Sequence, residues 1–139
     1  MTLFVDSSAW IGLFGTGDKY HQLASRFFKQ LGTQPQRLVT SDYIIDETLT
    51  HLLVTYGHHI ALQFGRWVLS ASFIDKIRID EEMWQAAWGM FQSYDDKQWA
   101  FTDCTSFVLM RQHNMHRAFA FDRHFEQAGF QLWPGMDLL

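Results

Sequence analysis

The sequence has little cysteine and no long apolar run. Its single cysteine, Cys104, excludes an intrachain disulfide. No hydrophobic stretch approaches the roughly 20 residues that a helix needs to cross a bilayer. The opening segment has no basic start and reaches Asp6 at once, which argues against a signal peptide. We therefore expect a cytoplasmic protein with no membrane segment.

Positive charge is also scarce, since the formal net charge is −4 at pH 7. This balance excludes a broad basic surface that coats nucleic acid, but it leaves open a phosphate substrate held through a bound cation. Hydrophobic residues make up 47% of the chain and charged residues 19%, which excludes a disordered protein. At 139 residues, the length predicts a single domain over residues 1–139.

Short apolar runs alternate with segments of helical periodicity along the chain. This alternation predicts a three-layer α/β/α fold with a twisted parallel sheet of four to five strands. The predicted strands are Thr2–Val5, Leu38–Ser41, Ser72–Ile79, Arg117–Phe121 and Phe130–Trp133. The predicted helices are Ser7–Phe14, Asp18–Leu31, one that is capped by Ser41 or Asp42 and runs to Tyr56, His58–Ala71, Glu81–Gln92 after a capping Asp80, Asp103–Gln112 after a capping Thr102, and Arg123–Ala128.

Four acidic residues stand where such a fold would gather its strand ends. Asp6 and Asp122 close predicted strands, and Asp103 and Glu47 lie in the first turns of predicted helices. In open α/β sheets the reactive crevice lies at the carboxyl ends of the strands. We therefore expect these four carboxylates to meet in one crevice.

Such a convergence implies a divalent cation. Two negative charges ~4 Å apart repel by about 4 kcal/mol at an effective dielectric near 20, so an empty site of four acids is strained or holds protons. Mg²⁺ or Mn²⁺ relieves this repulsion and is commonly shared with substrate phosphates. The pattern therefore favours hydrolysis of a phosphodiester by a metal-activated water.

Four short motifs resemble the PIN-domain family, and among its members the compact VapC-type ribonucleases. They are Phe-Val-Asp6-Ser-Ser8-Ala-Trp, Asp46-Glu47-Thr-Leu, Thr102-Asp103-Cys-Thr-Ser-Phe and Ala-Phe-Asp122-Arg-His-Phe. Each motif alone is weakly specific. Their order and spacing over essentially the whole chain make the resemblance specific.

The resemblance implies an Mg²⁺- or Mn²⁺-dependent ribonuclease that leaves 5′-phosphate and 3′-hydroxyl ends. Asp6, Glu47, Asp103 and Asp122 match the family's catalytic and metal-binding acids. Ser8 matches a small polar position that supports the first acid, and the neighbouring Thr102 is suited to steady the third. The resemblance further implies an RNA substrate, a homodimer and, for a toxin of a toxin–antitoxin pair, a cognate antitoxin protein.

Each acid also has a purely structural interpretation when it is taken alone. Asp6 suits a turn in which Ser7 or Ser8 caps the next helix, and Asp122 suits a helix cap. Asp46 competes with Glu47 for its role, and Glu126 is either a surface acid or a ligand of a second metal.

Two alternative functions compete with the ribonuclease. A catalytically inactive PIN-fold module that binds an antitoxin or RNA stays open, although the presence of all four acids argues against it. A phosphatase of the dehalogenase type is excluded because Ser8 stands where it needs a second aspartate.

The six tryptophans are more than a chain of this length usually contains. We expect Trp10, Trp88 and Trp133 to fill the core. Trp67 and Trp99 suit the core or an interface, with stacking on RNA bases as the alternative.

Overall fold

The computed structural model describes residues 2–33 and 36–135. Within these ranges the chain forms five strands and seven helices. The strands are β1 Thr2–Val5, β2 Arg37–Ser41, β3 Ile74–Ile77, β4 Arg117–Phe119 and β5 Gln131–Trp133. The helices are α1 Ser7–Phe14, α2 His21–Leu31, α3 Asp42–Tyr56, α4 His58–Ser70, α5 Glu81–Ser93, α6 Phe101–Gln112 and α7 His124–Gln127.

The strands form one sheet in the order β3-β2-β1-β4-β5, and all four pairings are parallel. The predicted three-layer α/β class is confirmed. Because β1 is flanked by β2 on one side and β4 on the other, the chain reverses its direction of winding at β1. This is the position at which open α/β sheets bind their ligands.

The sheet is buried on both faces, and its central strand is a continuous apolar run. Leu3, Phe4 and Val5 are all buried, as expected for a parallel strand covered by helices on either side. On the helices, Trp10 packs against Phe64 with ring centroids 5.9 Å apart. Phe107 packs against Phe125 at 5.1 Å. Large aromatic side chains therefore fix the helices that carry the site.

Helix starts follow capping chemistry. The Ser41 hydroxyl accepts a hydrogen bond from the Ile44 N–H at 3.1 Å and begins α3, so Ser41 rather than Asp42 is the cap. Asp80 caps α5 in the same way, as the sequence predicts. Asp18 does not begin α2, because its carboxylate accepts the Tyr20 N–H at 3.0 Å in a local turn.

Several other sequence predictions are wrong. Thr102 does not cap α6, because the helix begins at Phe101 with Ala100 as its N-cap. Trp88 does not fill the core, since 42% of its surface is exposed. The strand β4 ends at Phe119, two residues early, because the Phe121 N–H donates to the Ser8 hydroxyl rather than to a neighbouring strand.

Trp99 is buried, which confirms the core interpretation for that residue. Among the residues that the structure describes, none of the helices has the length and apolar character required to cross a membrane.

Candidate functional site

The first acid, Asp6, follows β1 directly and is almost fully buried, with 3% of its surface exposed. It is the N-cap of α1, so neither Ser7 nor Ser8 has that role. Its Oδ2 accepts hydrogen bonds from the Ser8 hydroxyl at 2.7 Å and the Ser8 N–H at 3.2 Å. These bonds fix the carboxylate at the end of the central strand.

Burial raises the pKa of Asp6 to about 7 from its usual 3.8, because desolvation disfavours the charged form. The negative charges of Asp103 and Glu47 contribute to this rise, while the Ser8 hydroxyl opposes it. Two other acids of the predicted set are therefore close enough to act on Asp6 electrostatically.

Ser8 also joins the ends of two neighbouring strands. Its hydroxyl donates to Asp6 and accepts from the Phe121 N–H at 2.9 Å. Phe121 directly precedes the acid Asp122. One side chain thus ties the segment after β1 to the segment after β4, which brings the first and fourth acids to the same edge of the sheet.

The third acid, Asp103, lies in the first turn of α6, and only 7% of its surface is exposed. Its Oδ2 accepts the Ala100 N–H at 3.0 Å, a bond that satisfies one free donor at the helix start. Burial raises the pKa of Asp103 to about 6, and the charge of Asp122 adds to the rise. The Ala100 N–H and the imidazole of His124 act in the opposite direction.

A histidine that the sequence analysis missed lies between the third and fourth acids. The Nδ1 atom of His124 is 2.9 Å from Asp103 Oδ2 and 3.3 Å from Asp122 Oδ1. The backbone N–H of His124 donates to Asp122 Oδ1 at 2.9 Å. The sequence signal for this contact is the Asp-x-His spacing of Asp122-Arg-His124. In an Asx turn, an aspartate carboxylate accepts a hydrogen bond from the backbone N–H two residues later.

Glu47 reaches the same crevice from α3. Its Oε1 accepts a hydrogen bond from the Ser7 hydroxyl in α1, and the side chain is partly buried. Its neighbour Asp46 is exposed. Glu126 pairs with Arg123 at 3.6 Å in an exposed i,i+3 contact on α7.

Thr102 has a different contact from the one the sequence suggests. Its carbonyl accepts the Thr105 hydroxyl at 2.6 Å, while Asp103 is bonded by Ala100 and His124. A role for Thr102 in steadying the third acid stays a prediction.

The donor set suits a divalent cation. Ligand atoms of Asp103, Asp122 and His124 all lie within 4.8 Å of one another, and Asp6 and Glu47 add negative charge beside them. The raised pKa values of Asp6 and Asp103 show that the pocket resists holding all its charges without compensation. A hard cation with oxygen ligands would supply that compensation.

A family model for the PIN domain matches residues 3–131. The chain is also 33% identical over 129 residues to the 23S rRNA-specific endonuclease VapC20 of Mycobacterium tuberculosis. That match covers 92% of this chain and 95% of the relative. The crystal structure of Mycobacterium tuberculosis VapC20, described as a sarcin–ricin loop cleaving toxin, superposes with a TM-score of 0.85 and 30% identity over 92% of this chain and 95% of that one.

Other solved structures share the fold at lower identity. VapBC2 from Rickettsia felis, bound to a DNA fragment from its promoter, has a TM-score of 0.70 and 8% identity, covering 95% of this chain and 97% of that chain. A toxin–antitoxin complex from Klebsiella pneumoniae has a TM-score of 0.59 and 15% identity, covering 87% of each chain. At these identities the likeness shows the fold alone. The family model and the VapC20 match span nearly the whole chain, and the chain therefore belongs to the PIN-domain family.

Proposed function

We propose that this protein is a metal-dependent ribonuclease that hydrolyses a phosphodiester bond of 23S ribosomal RNA, and that residues 1–139 form one PIN-like domain. The single observation that carries the proposal is the meeting of acids from four separate segments, with ligand atoms of Asp103, Asp122 and His124 within 4.8 Å of one another and the charges of Asp103 and Glu47 acting on Asp6. The class of RNA comes from the VapC20 relative, which is named for its action on 23S rRNA.

Asp6, Glu47, Asp103 and Asp122 would hold the cation, which we propose to be Mg²⁺ or Mn²⁺. When bound, such an ion lowers the pKa of a water molecule and offsets the charge that develops on the phosphate. The donor set fits this task because it is rich in carboxylate oxygens, which Mg²⁺ and Mn²⁺ prefer.

The residues around the acids position them before the substrate arrives. Ser8 fixes Asp6 at the end of β1, and Ala100 fixes Asp103 at the start of α6. Ser7 donates to Glu47 and so orients the one acid that lies on a long side chain. Pre-arranged groups of this kind require no reorganisation during the reaction. We propose that water attacks the phosphorus in line with the 3′-oxygen, so that breaking the P–O3′ bond leaves 5′-phosphate and 3′-hydroxyl ends.

We also propose an antitoxin partner and a homodimer. Support for the antitoxin comes from solved structures with this fold, which include toxin–antitoxin complexes such as the one from Klebsiella pneumoniae. An antitoxin that presents a cationic side chain to the crevice would relieve the same repulsion that a metal relieves, and would exclude the substrate. The homodimer is tested by measuring the mass of the purified protein in solution.

The function is tested by incubating purified protein with ribosomes and with unstructured RNA, in Mn²⁺, in Mg²⁺ and in EDTA. We expect cleavage of 23S rRNA at one position, dependence on the added ion, and loss of cleavage in Asp103→Asn. Leu69→Ala is a matched control, because Leu69 is an exposed residue at the end of α4. Cleavage that persists in EDTA, or in Asp103→Asn, would reject the metal-dependent mechanism.

A further inference from the structure

A cavity lies beside the third acid of the site, where the loop between α5 and α6 leads into α6. It is a cavity of about 390 Å³, within the size range of small-ligand sites. The lining residues that matter here are Phe91, Tyr94, Asp95, Gln98, Trp99 and Ala100.

Two contacts join this cavity to the acids. Ala100, which lines the cavity, donates its N–H to Asp103 at 3.0 Å. Trp99 also lines the cavity, and its Nε1–H donates to Gln127 Oε1 at 3.1 Å. Gln127 ends α7, the helix that begins at His124. These contacts place the cavity next to the two helices that begin with Asp103 and His124 in their first turns.

The cavity offers an aromatic surface with a rigid support. Tyr94 leaves 43% of its surface exposed, and its ring centroid lies 4.9 Å from that of the buried Trp99. Trp99 is packed in turn edge-on against Phe107, at 5.1 Å. An aromatic ring that is supported from inside and exposed outside is a surface on which an unpaired base stacks.

The polar groups of the cavity suit a base better than a phosphate. Asp95 is exposed and carries a carboxylate, which repels phosphate but accepts N–H donors. Gln98 is exposed and offers both an amide donor and an amide acceptor. Lys97 is paired with Asp96 at 3.4 Å, so its charge is partly offset. Guanine matches this set, since its Watson–Crick edge presents two adjacent N–H donors beside a carbonyl oxygen, whereas the carbonyl oxygens of uracil would face a carboxylate.

We propose that this cavity binds one unpaired guanine of the RNA adjacent to the cleaved bond, with Tyr94 as the stacking surface and Asp95 and Gln98 as the groups that recognise the base edge. The proposal rests on the proposed ribonuclease function and adds its specificity. It makes Tyr94 and Asp95 substrate-binding residues that take no part in the bond-breaking step.

The first test compares Tyr94→Ala with Tyr94→Phe, which keeps the ring. The substrate is an RNA hairpin with the sequence of the 23S rRNA sarcin–ricin loop, the loop that the VapC20 relative is described as cleaving. Because stacking on an aromatic side chain is worth ~1–3 kcal/mol per base, Tyr94→Ala should raise KM about 5- to 150-fold and leave kcat unchanged. Tyr94→Phe should restore the wild-type KM. Phe73→Ala is the control, because Phe73 is an exposed aromatic residue that lies outside this cavity.

The second test uses Asp95→Asn with hairpins in which each base flanking the cleaved bond is replaced in turn by another base or by inosine, which lacks the guanine 2-amino group. The wild-type protein should discriminate against one such replacement about 5- to 150-fold, the effect of one good base-edge contact. Asp95→Asn should reduce that discrimination while it cleaves the preferred hairpin with the same kcat.

Binding of the labelled hairpin, measured by fluorescence anisotropy in Ca²⁺, separates the two proposals. If the wild type binds tightly and Tyr94→Ala binds weakly, but nothing is cleaved in Mn²⁺ or Mg²⁺, the cavity proposal stands and the ribonuclease proposal fails. If the wild type cleaves and Tyr94→Ala has the same KM and affinity, the cavity proposal is overturned and the ribonuclease stands. An effect of Tyr94→Ala on the mass of the protein in solution, without an effect on KM, would assign this surface to a protein contact and also overturn it.

Discussion

The two halves of the acidic site are built differently. The inner half, Asp6 and Glu47, is held by neutral hydroxyl donors, since Asp6 is bonded by Ser8 and Glu47 by Ser7. The outer half, Asp103 and Asp122, shares an imidazole that takes a positive charge when protonated. Burial raises the pKa of Asp6 to about 7 and that of Asp103 to about 6. The Ser8 hydroxyl opposes the first rise, and the Ala100 N–H, followed by His124, opposes the second. Position is therefore fixed in both halves, but only the outer half includes a side chain that can carry a positive charge.

The largest expected effect is on stability without metal, measured by comparing the wild type with Asp6→Asn across pH. A carboxyl group whose pKa is raised in the folded state stabilises the fold below its unfolded pKa, and that stability is lost as pH rises through the folded pKa. For Asp6 the window runs from 3.8 to about 7. Because each pKa unit corresponds to ~1.4 kcal/mol, the change is roughly 4 kcal/mol.

The free energy of unfolding of Asp6→Asn should therefore increase relative to that of the wild type between about pH 4 and about pH 7. Above that range the difference between the two proteins should stay constant. Urea unfolding in EDTA at several pH values measures this difference. Parallel curves for the two proteins would show that Asp6 is not desolvated as described. Asp46→Asn, at an exposed acid, is the control and should follow the wild type.

The next largest effect is on catalysis, where neighbouring acids should differ in their importance. Glu47→Gln should lower kcat for RNA cleavage by about 100-fold or more, the usual result of removing one pre-arranged electrostatic group. Asp46→Asn should retain wild-type kcat because Asp46 lies in solvent. A second matched pair is Asp122→Asn, just before α7 and expected to be inactive, and Glu126→Gln, on α7 and expected to be active because Glu126 pairs on the surface with Arg123. Equal activity of the two members of either pair would show that the assignment of acids is wrong.

Metal binding should change thermal stability by a smaller amount. At a concentration ten times its dissociation constant, Mn²⁺ stabilises a protein by about 1.4 kcal/mol, which corresponds to ~3–6 °C in a domain of this size. The wild type should show this rise in a thermal scan, and Asp103→Asn should show little of it while having the higher melting temperature in EDTA. An identical response of both proteins would mean that Asp103 does not face the cation.

The smallest effect concerns the imidazole that distinguishes the outer half. His124→Ala removes the imidazole between Asp103 and Asp122, so each carboxylate keeps its backbone N–H donor but loses the side chain that the two share. We expect a loss of about 1 kcal/mol in metal-free stability at pH 6, at the low end for a hydrogen bond to a charged group because the side chain is partly exposed. His113→Ala, at an exposed histidine after α6, should cost nothing. Equal unfolding curves for the two variants would show that the His124 side chain does not stabilise the site.

The sequence predicted the parallel fold because strand and helix periods differ, and because capping residues such as Asp80 mark helix starts. It also selected acids that the fold brings together, since residues after neighbouring parallel strands share one sheet edge. His124 escaped prediction because its role depends on the Asx turn at Asp122 and on a contact with a residue 21 positions away.

The exposure of Trp88 was likewise hidden from a sequence pattern. The aromatic positions of α5 follow helical spacing, which indicates that one face is apolar but not whether another element covers it. Trp84 and Trp88 stack on each other at 6.3 Å, and both remain at the surface. Solvent exposure of a helix face is decided by how many elements pack around it, which is a property of the whole fold.

The central claim is that buried, partly protonated carboxylates give up protons to take a cation. Calorimetric titration of Mn²⁺ into the protein at pH 6.5, in buffers of different ionisation enthalpy, measures protons released on binding. An acid with a pKa of about 7 is more than half protonated at that pH, so the wild type should release protons as it binds the ion, and Asp6→Asn should release fewer. Binding of Mn²⁺ without proton release, or no binding at all, would contradict the account.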